Sequence, residues 1–246
     1  MSGPRRRSAL LARLADRPAG SVRSAIVDEL RAIILYGEVP PGSAIPLDGV
    51  ATAFGVSRIP VREALMTLIG EGLVDHRPNG GYRVAMMTAR EFGEIYLVRE
   101  ALESAALRVA VAGATAEDDR LARAALRALD EAIETGDDGA AYHRESRRFH
   151  LALINPCRMR RLLNMLESAW NMTEPLRPMT HLTGSDRELL HADHAVMLAA
   201  FLRRDADALG RACAGHHARL QRFISALPQH TGLFVEEKDI RFSTSG

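Results

Sequence analysis

Between residues 35 and 57 the chain is interrupted so often that only short elements fit on either side. Gly37, then Pro40, Pro41 and Gly42, end whatever precedes them, and Gly55 leaves room for only one short helix before the next turn. Upstream, Val22, Ala25, Ile26, Leu30, Ile33 and Ile34 recur at helical spacing. Residues 47–54 suit a short helix with Val50, Ala51 and Phe54 inward. Past Gly55, Ser57 stands where it can cap a third helix. Pro60 is tolerated there because first-turn N–H groups have no intrahelical partner. That helix runs to Gly70 or Gly72 and sorts its side chains: Val61 and Leu65 on one face, Arg58 and Arg62 stacked on another. A chain cut this way must close a small core from three short helices.

Leu73-Val74-Asp75 and Tyr82-Arg83-Val84 flank an Asn79-Gly80 turn and read as a β-hairpin. Helix, helix-turn-helix and hairpin in that order describe a winged helix over residues 18–86. Arg58 and Arg62 then have two readings, placed arginines for nucleic acid or a solvated surface. Charge does not decide between them, because the formal net charge is only +1. Up to residue 86 there are eleven arginines and eight acids, but the excess lies in the first twenty residues, a basic arm over 1–17.

From Ala89 the texture changes to alanine- and leucine-rich helical periodicity. Helices fit about 89–112, 117–134, 138–154, 157–171, 185–203 and 205–226, separated by Gly113-Ala114-Thr115, Gly136-Asp137-Asp138, Asn155-Pro156 and the Pro175–Gly184 region. The expectation is a mainly α protein: a winged helix-turn-helix, an all-α bundle over 89–227 and a loose tail over 228–246. No apolar run approaches the roughly 18 residues of a membrane span, and Arg13 interrupts the first apolar stretch, so no signal peptide and a cytoplasmic protein are expected. Cys157 and Cys213 are read as small buried thiols rather than a disulfide.

Several motifs carry a resemblance. Leu30-Arg31-Ala32-Ile33-Ile34, Pro41-Gly42, Val50-Ala51, the run from Gly55 to Leu65 and Glu71-Gly72-Leu73-Val74 resemble the winged-helix domain of the GntR family of bacterial transcription regulators. Arg99, Glu103, Phe149-His150, Asn155-Pro156, His194, Asp205 and His216 resemble the FCD effector domain of its FadR subfamily. The resemblance implies that the helix after Ser57 is the recognition helix. Ser57, Arg58, Ile59 and Arg62 would face base edges and phosphates, Arg31 the DNA backbone, and Gly80 and Gly81 a neighbouring groove. Arg31 reads equally well as a solvated surface arginine. Relatives often carry an acid and then an arginine where this chain has Leu47 and Asp48, and a basic residue at the Gly80 position, so few phosphate contacts are expected.

The resemblance also implies a divalent metal (Zn, Ni or Mn) on His150, His194 and His216. The usual Asp or Asn one turn before the first histidine is here Ser146. Glu145 and Cys213 are candidate substitutes, and three satisfied buried histidines are the plain alternative. His143, His181, His191 and His217 are expected at the surface or behind the ligands. Arg99, Ser146 and Tyr96 are candidate effector contacts, with Trp170 beside them; an Arg99–Glu103 ion pair is compatible. The expected function is a ligand-responsive repressor that binds two-fold operator DNA as a homodimer and answers to a small carboxylate effector. A metal-free site for an acyl or apolar ligand is the alternative. A metal-dependent hydrolase with a DNA-binding head is a third reading, against which no general base, Gly-x-Ser-x-Gly elbow or phosphate-cradling loop is evident.

Overall fold

The computed structural model describes residues 23–37, 39–78, 80–135, 139–227 and 233–236. The basic arm over 1–17, Asn79, the Gly136-Asp137-Asp138 link and most of the 228–246 tail lie outside the described residues. Of the described residues, those up to Thr88, Asn171–Leu176 and 233–236 form one compact unit, and those of Ala89–Trp170 and from Arg177 to 227 form another.

In the first unit, α1 (Arg23–Leu35) buries Ile26, Val27, Leu30, Ile33 and Ile34 on one stripe. The chain then turns through Gly37 and Gly42, both at positive φ, into β1 (Ala44–Ile45) and α2 (Leu47–Phe54). Gly55, at φ 65, closes α2 by donating its N–H to the carbonyls of Ala51 and Thr52, a left-handed cap that glycine adopts without strain. α3 (Arg58–Gly70) buries Val61, Ala64, Leu65 and Leu68. Strands β2 (Val74–Arg77) and β3 (Gly81–Val84) follow, and the antiparallel sheet has the order β1-β3-β2. Pairing runs Val74↔Val84 to Arg77↔Gly81 on one side of β3, and Ala44↔Arg83 and Ile45↔Tyr82 on the other. The sequence reading omitted β1, because a two-residue strand has no periodicity of its own and exists only through its partner. Leu30, Ile34, Val61, Leu65, Leu68 and Leu73 are fully buried in one cluster. Truncating any of these leucines, or Ile34, to alanine would cost about 2–5 kcal/mol.

The second unit is helical: α4 (Ala89–Gly113), α5 (Ala116–Glu134), α6 (Ala140–Ile154), α7 (Arg160–Thr173, in this unit through Trp170), α8 (Gly184–Leu202) and α9 (Ala206–Ser225). These are the six helices expected from the punctuation, with short 3-10 turns at Asn155–Cys157 and Pro178–His181 where proline removes a backbone donor. Thr115 with Asp118, and Thr183 with Asp186, form capping boxes that start α5 and α8, and Asp205 caps α9 through the Ala208 amide. α9 lies against α4 and α8, and α6 against α5 and α4. Inward residues of α4, α6, α8 and α9 therefore share one interior.

Candidate functional site

Two sets of side chains stand out, one on each unit. On the first, the N-terminal end of α3 presents Ser57, Arg58, Ile59 and Arg62 to solvent, opposite the face that packs Val61 and Leu65. Ser57 occupies the N-cap with extended backbone (φ −74, ψ 170), yet its hydroxyl makes no capping bond to the helix. The oxygen, and the unpaired first-turn amides beside it, remain able to meet an anion. Arg58 forks onto Asp48 of α2: Nη2 donates to Oδ2 at 2.7 Å and Nε contacts Oδ1, so an acid ten residues earlier orients the guanidinium. Ile59 is 70% exposed, an apolar side chain that nothing in this unit covers.

Arg31 is placed differently. Its Nε and Nη2 donate to the two carboxylate oxygens of Glu71 at 2.8 and 2.6 Å, and Nη1 donates to Asp28 at 2.7 Å. The Glu71 hydrogen bonds, against partial burial, hold the guanidinium above even its usual range. Arg31 thus ties α1 to the end of α3, with its charge already matched. At the tip of the hairpin, the Gly80 N–H donates to the Arg77 carbonyl at 2.9 Å. A Cβ on Gly80 would come within 3.0 Å of the Arg77 Cβ, whereas Gly81, at φ +71, faces open space.

In the bundle, a buried carboxylate organises a group of histidines. Glu103 on α4 is 0% exposed. Its Oε1 lies 2.5 Å from His150 Nδ1 of α6, and its Oε2 lies 3.0 Å from His217 Nε2 of α9. Burial pushes the carboxyl up, but the two imidazoles outweigh it and hold the group well below the usual carboxylate range. With Nδ1 engaged by the carboxylate, His150 directs Nε2 the other way, 3.2 Å from His194 Nε2 of α8. His216 of α9 completes the group: ligand atoms of His150, His194 and His216 all lie within 4.8 Å of one another. Asp193 Oδ2 stands 3.7 Å from His216 Nδ1, too long for a hydrogen bond, and is held instead by Arg219 at 2.8 Å. Burial and the neighbouring imidazoles depress the pKa of His194 well below its usual value. Burial also lowers His216, to about 4, over the opposing pull of Asp193. Both rings are therefore neutral near pH 7, the form that binds a cation.

The geometry fits a metal. Zinc–imidazole bonds of about 2.05 Å at the tetrahedral angle put neighbouring nitrogens about 3.3 Å apart, close to the 3.2 Å between His150 and His194. The carboxylate behind His150 is the usual support for a ligating histidine. Ser146, one turn before His150, is buried on the same helix and offers a neutral hydroxyl. Of the candidate substitutes, Cys213 places its sulfur with Glu103 and His217 rather than with the trio, and burial drives its thiol pKa up, against thiolate ligation. Glu145 is taken by Arg144 at 3.0 Å and Arg148 at 3.6 Å. His217, read from sequence as a surface or supporting residue, is buried on Glu103; its signal was its adjacency to His216, which turns it about 100° around α9.

Near the histidines, the Arg99 guanidinium carbon lies 4.3 Å from the Tyr96 ring centroid and 4.7 Å from that of Trp170. This is a buried cation between two aromatic faces. Trp170 also meets His150 edge-on at 5.9 Å, which ties Arg99 to the histidine group. Glu103, read from sequence as a partner for Arg99, directs both oxygens to histidines. No helix among the described residues is long and apolar enough to cross a membrane.

Comparison with known proteins gives two family matches: the FCD domain over residues 94–219, and the bacterial regulatory proteins of the gntR family over residues 22–84. The HTH-type transcriptional regulator YdhC of Bacillus subtilis is 26% identical over 189 residues, covering 77% of this chain and 84% of its own. The HTH-type transcriptional repressor RspR of Escherichia coli K12 is 25% identical over 221 residues, covering 90% and 96%. The solved structure of E. coli McbR/YncC shares the fold, with a TM-score of 0.73 over 84% of this chain and 98% of its own at 24% identity.

Proposed function

Since the chain belongs to the FCD-domain transcriptional regulators of the gntR family, we propose that it is a ligand-responsive repressor of the FadR subfamily, working as a homodimer on two-fold operator DNA and released by a small organic acid. It acts where the DNA is, in the cytoplasm. The family and the relatives are transcriptional regulators and not enzymes, which removes the hydrolase reading of the histidines.

The DNA-facing part of the proposal rests on the exposed end of α3. Arg58, steered by Asp48, has the planar fork that takes both acceptors of a guanine, and Ile59 suits the methyl group of a thymine. Ser57 and Arg62 suit phosphates, as do the open backbone around Gly81 and, once its acids yield, Arg31. One such helix reads only half a site, which is why a second copy is needed.

The ligand-facing part rests on one observation, the 3.2 Å approach of His150 Nε2 to His194 Nε2 beside His216. A divalent cation (Zn, Ni or Mn) bound there would supply a positive centre with room for a carboxylate, because Ser146 brings no charge of its own. Arg99 would pair with another acidic group of the same effector, with Tyr96 and Ser146 alongside. To change DNA affinity, the effector must favour one arrangement of the two heads over the other. The same 3.2 Å contact also suits a metal-free protein, with one neutral imidazole donating to the other, and then an acyl or apolar ligand is the better candidate. Metal analysis of protein purified without chelator separates the two. Selection of bound fragments from genomic DNA, with and without small acids, tests the regulator itself; no preferred duplex under either condition would refute it.

A further inference from the structure

The ligand-facing reading leaves a charge problem. A divalent ion on three neutral imidazoles keeps its full double charge in a dry interior, and Ser146 cannot reduce it. The buried anion nearest the histidines is Glu103, in contact with the far side of one of the ligands. We infer that Glu103 is the positioning residue of this centre, and that it supplies from behind His150 the negative charge that an acid at position 146 would supply directly. This inference rests on the metal reading of the proposed function and goes beyond it by assigning the charge balance to a residue that touches no ion.

Three observations carry it. Glu103 Oε1 accepts from His150 Nδ1 at 2.5 Å, so His150 is fixed as the Nδ1–H tautomer with its Nε2 lone pair aimed at His194. His217 Nε2 donates to Oε2 at 3.0 Å, and Cys213 closes in on the same carboxylate, so Glu103 cannot swing into the coordination sphere. The carboxylate is wholly enclosed, with no solvent to spread its charge, so that charge acts on the side chains packed against it, His150 among them. A charge placed behind a ligand has a consequence that one at position 146 lacks: the coordination position stays open. The centre would then hold a cation with reduced net charge and still accept an oxygen of an effector carboxylate at the open position.

The test uses the full-length protein and zinc alone, measured by competition with a chromophoric chelator. Glu103→Gln, nearly the same shape without the charge, is expected to weaken zinc binding about 10–100-fold. Ser146→Asp is expected to gain more in the Glu103→Gln background than in the wild type, because there it replaces the charge lost behind His150, while Asp193 beside His216 is common to both backgrounds. Equal zinc affinity in Glu103→Gln and wild type, or the same gain from Ser146→Asp in both backgrounds, would overturn the inference. A wild type that takes up no zinc would overturn the metal reading and the inference with it. Should the variant not fold, the wild type still decides. Nitrogen-15 spectra of the chelated protein are expected to show His150 protonated on Nδ1, and protonation on Nε2 overturns the assignment.

Discussion

Replacing His216 by glutamine isolates a buried histidine whose effect on stability can be calculated. Burial lowers its pKa from 6.5 to about 4, in spite of Asp193. The unfolded chain therefore binds the proton more readily than the folded one, so stability falls as pH drops below 6.5 and stops falling near 4. At pH 7.5 neither state is much protonated. At pH 5 the unfolded imidazole is nearly all protonated and the folded one about one-tenth, which makes folding about 2 kcal/mol less favourable than at pH 7.5. Glutamine does not titrate, so in chelator the wild type should lose about 2 kcal/mol more than His216→Gln between these pH values, read from urea unfolding at one protein concentration. His194 shifts in the same direction and leaves a residual slope in the variant. Glu103, held below the carboxylate range, loses its contribution only at more acidic pH and stays out of this window. Parallel stability curves for the two proteins would show that the imidazole is hydrated or already paired with a full charge, and the account of this interior would be wrong.

Arg62→Ala should lower the slope of log affinity against log salt by about 0.9 per phosphate contact, hence about 1.8 for a dimer with two heads, in filter-binding titrations. Arg58→Ala should instead cost about 1–3 kcal/mol of discrimination at one base of each half-site, with the fold unchanged by circular dichroism. Arg31→Ala and Glu71→Ala, combined in a double-mutant cycle, should show a coupling of about 1 kcal/mol in thermal unfolding of the protein, since the pair is bidentate but partly exposed. Thr183→Ala removes the capping box of α8 and should destabilise by about 1 kcal/mol without changing zinc retention.

Much of the fold is visible in the chain because its signals are local. Gly55 ends α2 because only a left-handed residue can close it there, and Pro156 and Pro178 open 3-10 turns because they lack an N–H. Helical spacing separates Val61 and Leu65 from Arg58 and Arg62 before any packing is known. β1 escaped because its two residues are a strand only by virtue of Arg83 and Tyr82, some forty residues later. Spacing and resemblance brought His150, His194 and His216 under suspicion; the resemblance also marked Glu103, but as a partner for Arg99 and not as the carboxylate behind His150.

The amino-acid order alone determines where most helices begin and end and which stripes are apolar, since these depend on backbone sterics and on a repeat of 3.6 residues; that Asn171–Leu176 belongs with the first unit was decided by packing. The encounters were decided in three dimensions: Asp48 with Arg58, Arg31 with Glu71, and Glu103 with both His150 and His217. Those partners stand 10 to 114 positions apart. What brings them together is the angle and register at which the helices pack, a property of the whole core that no short stretch of chain contains.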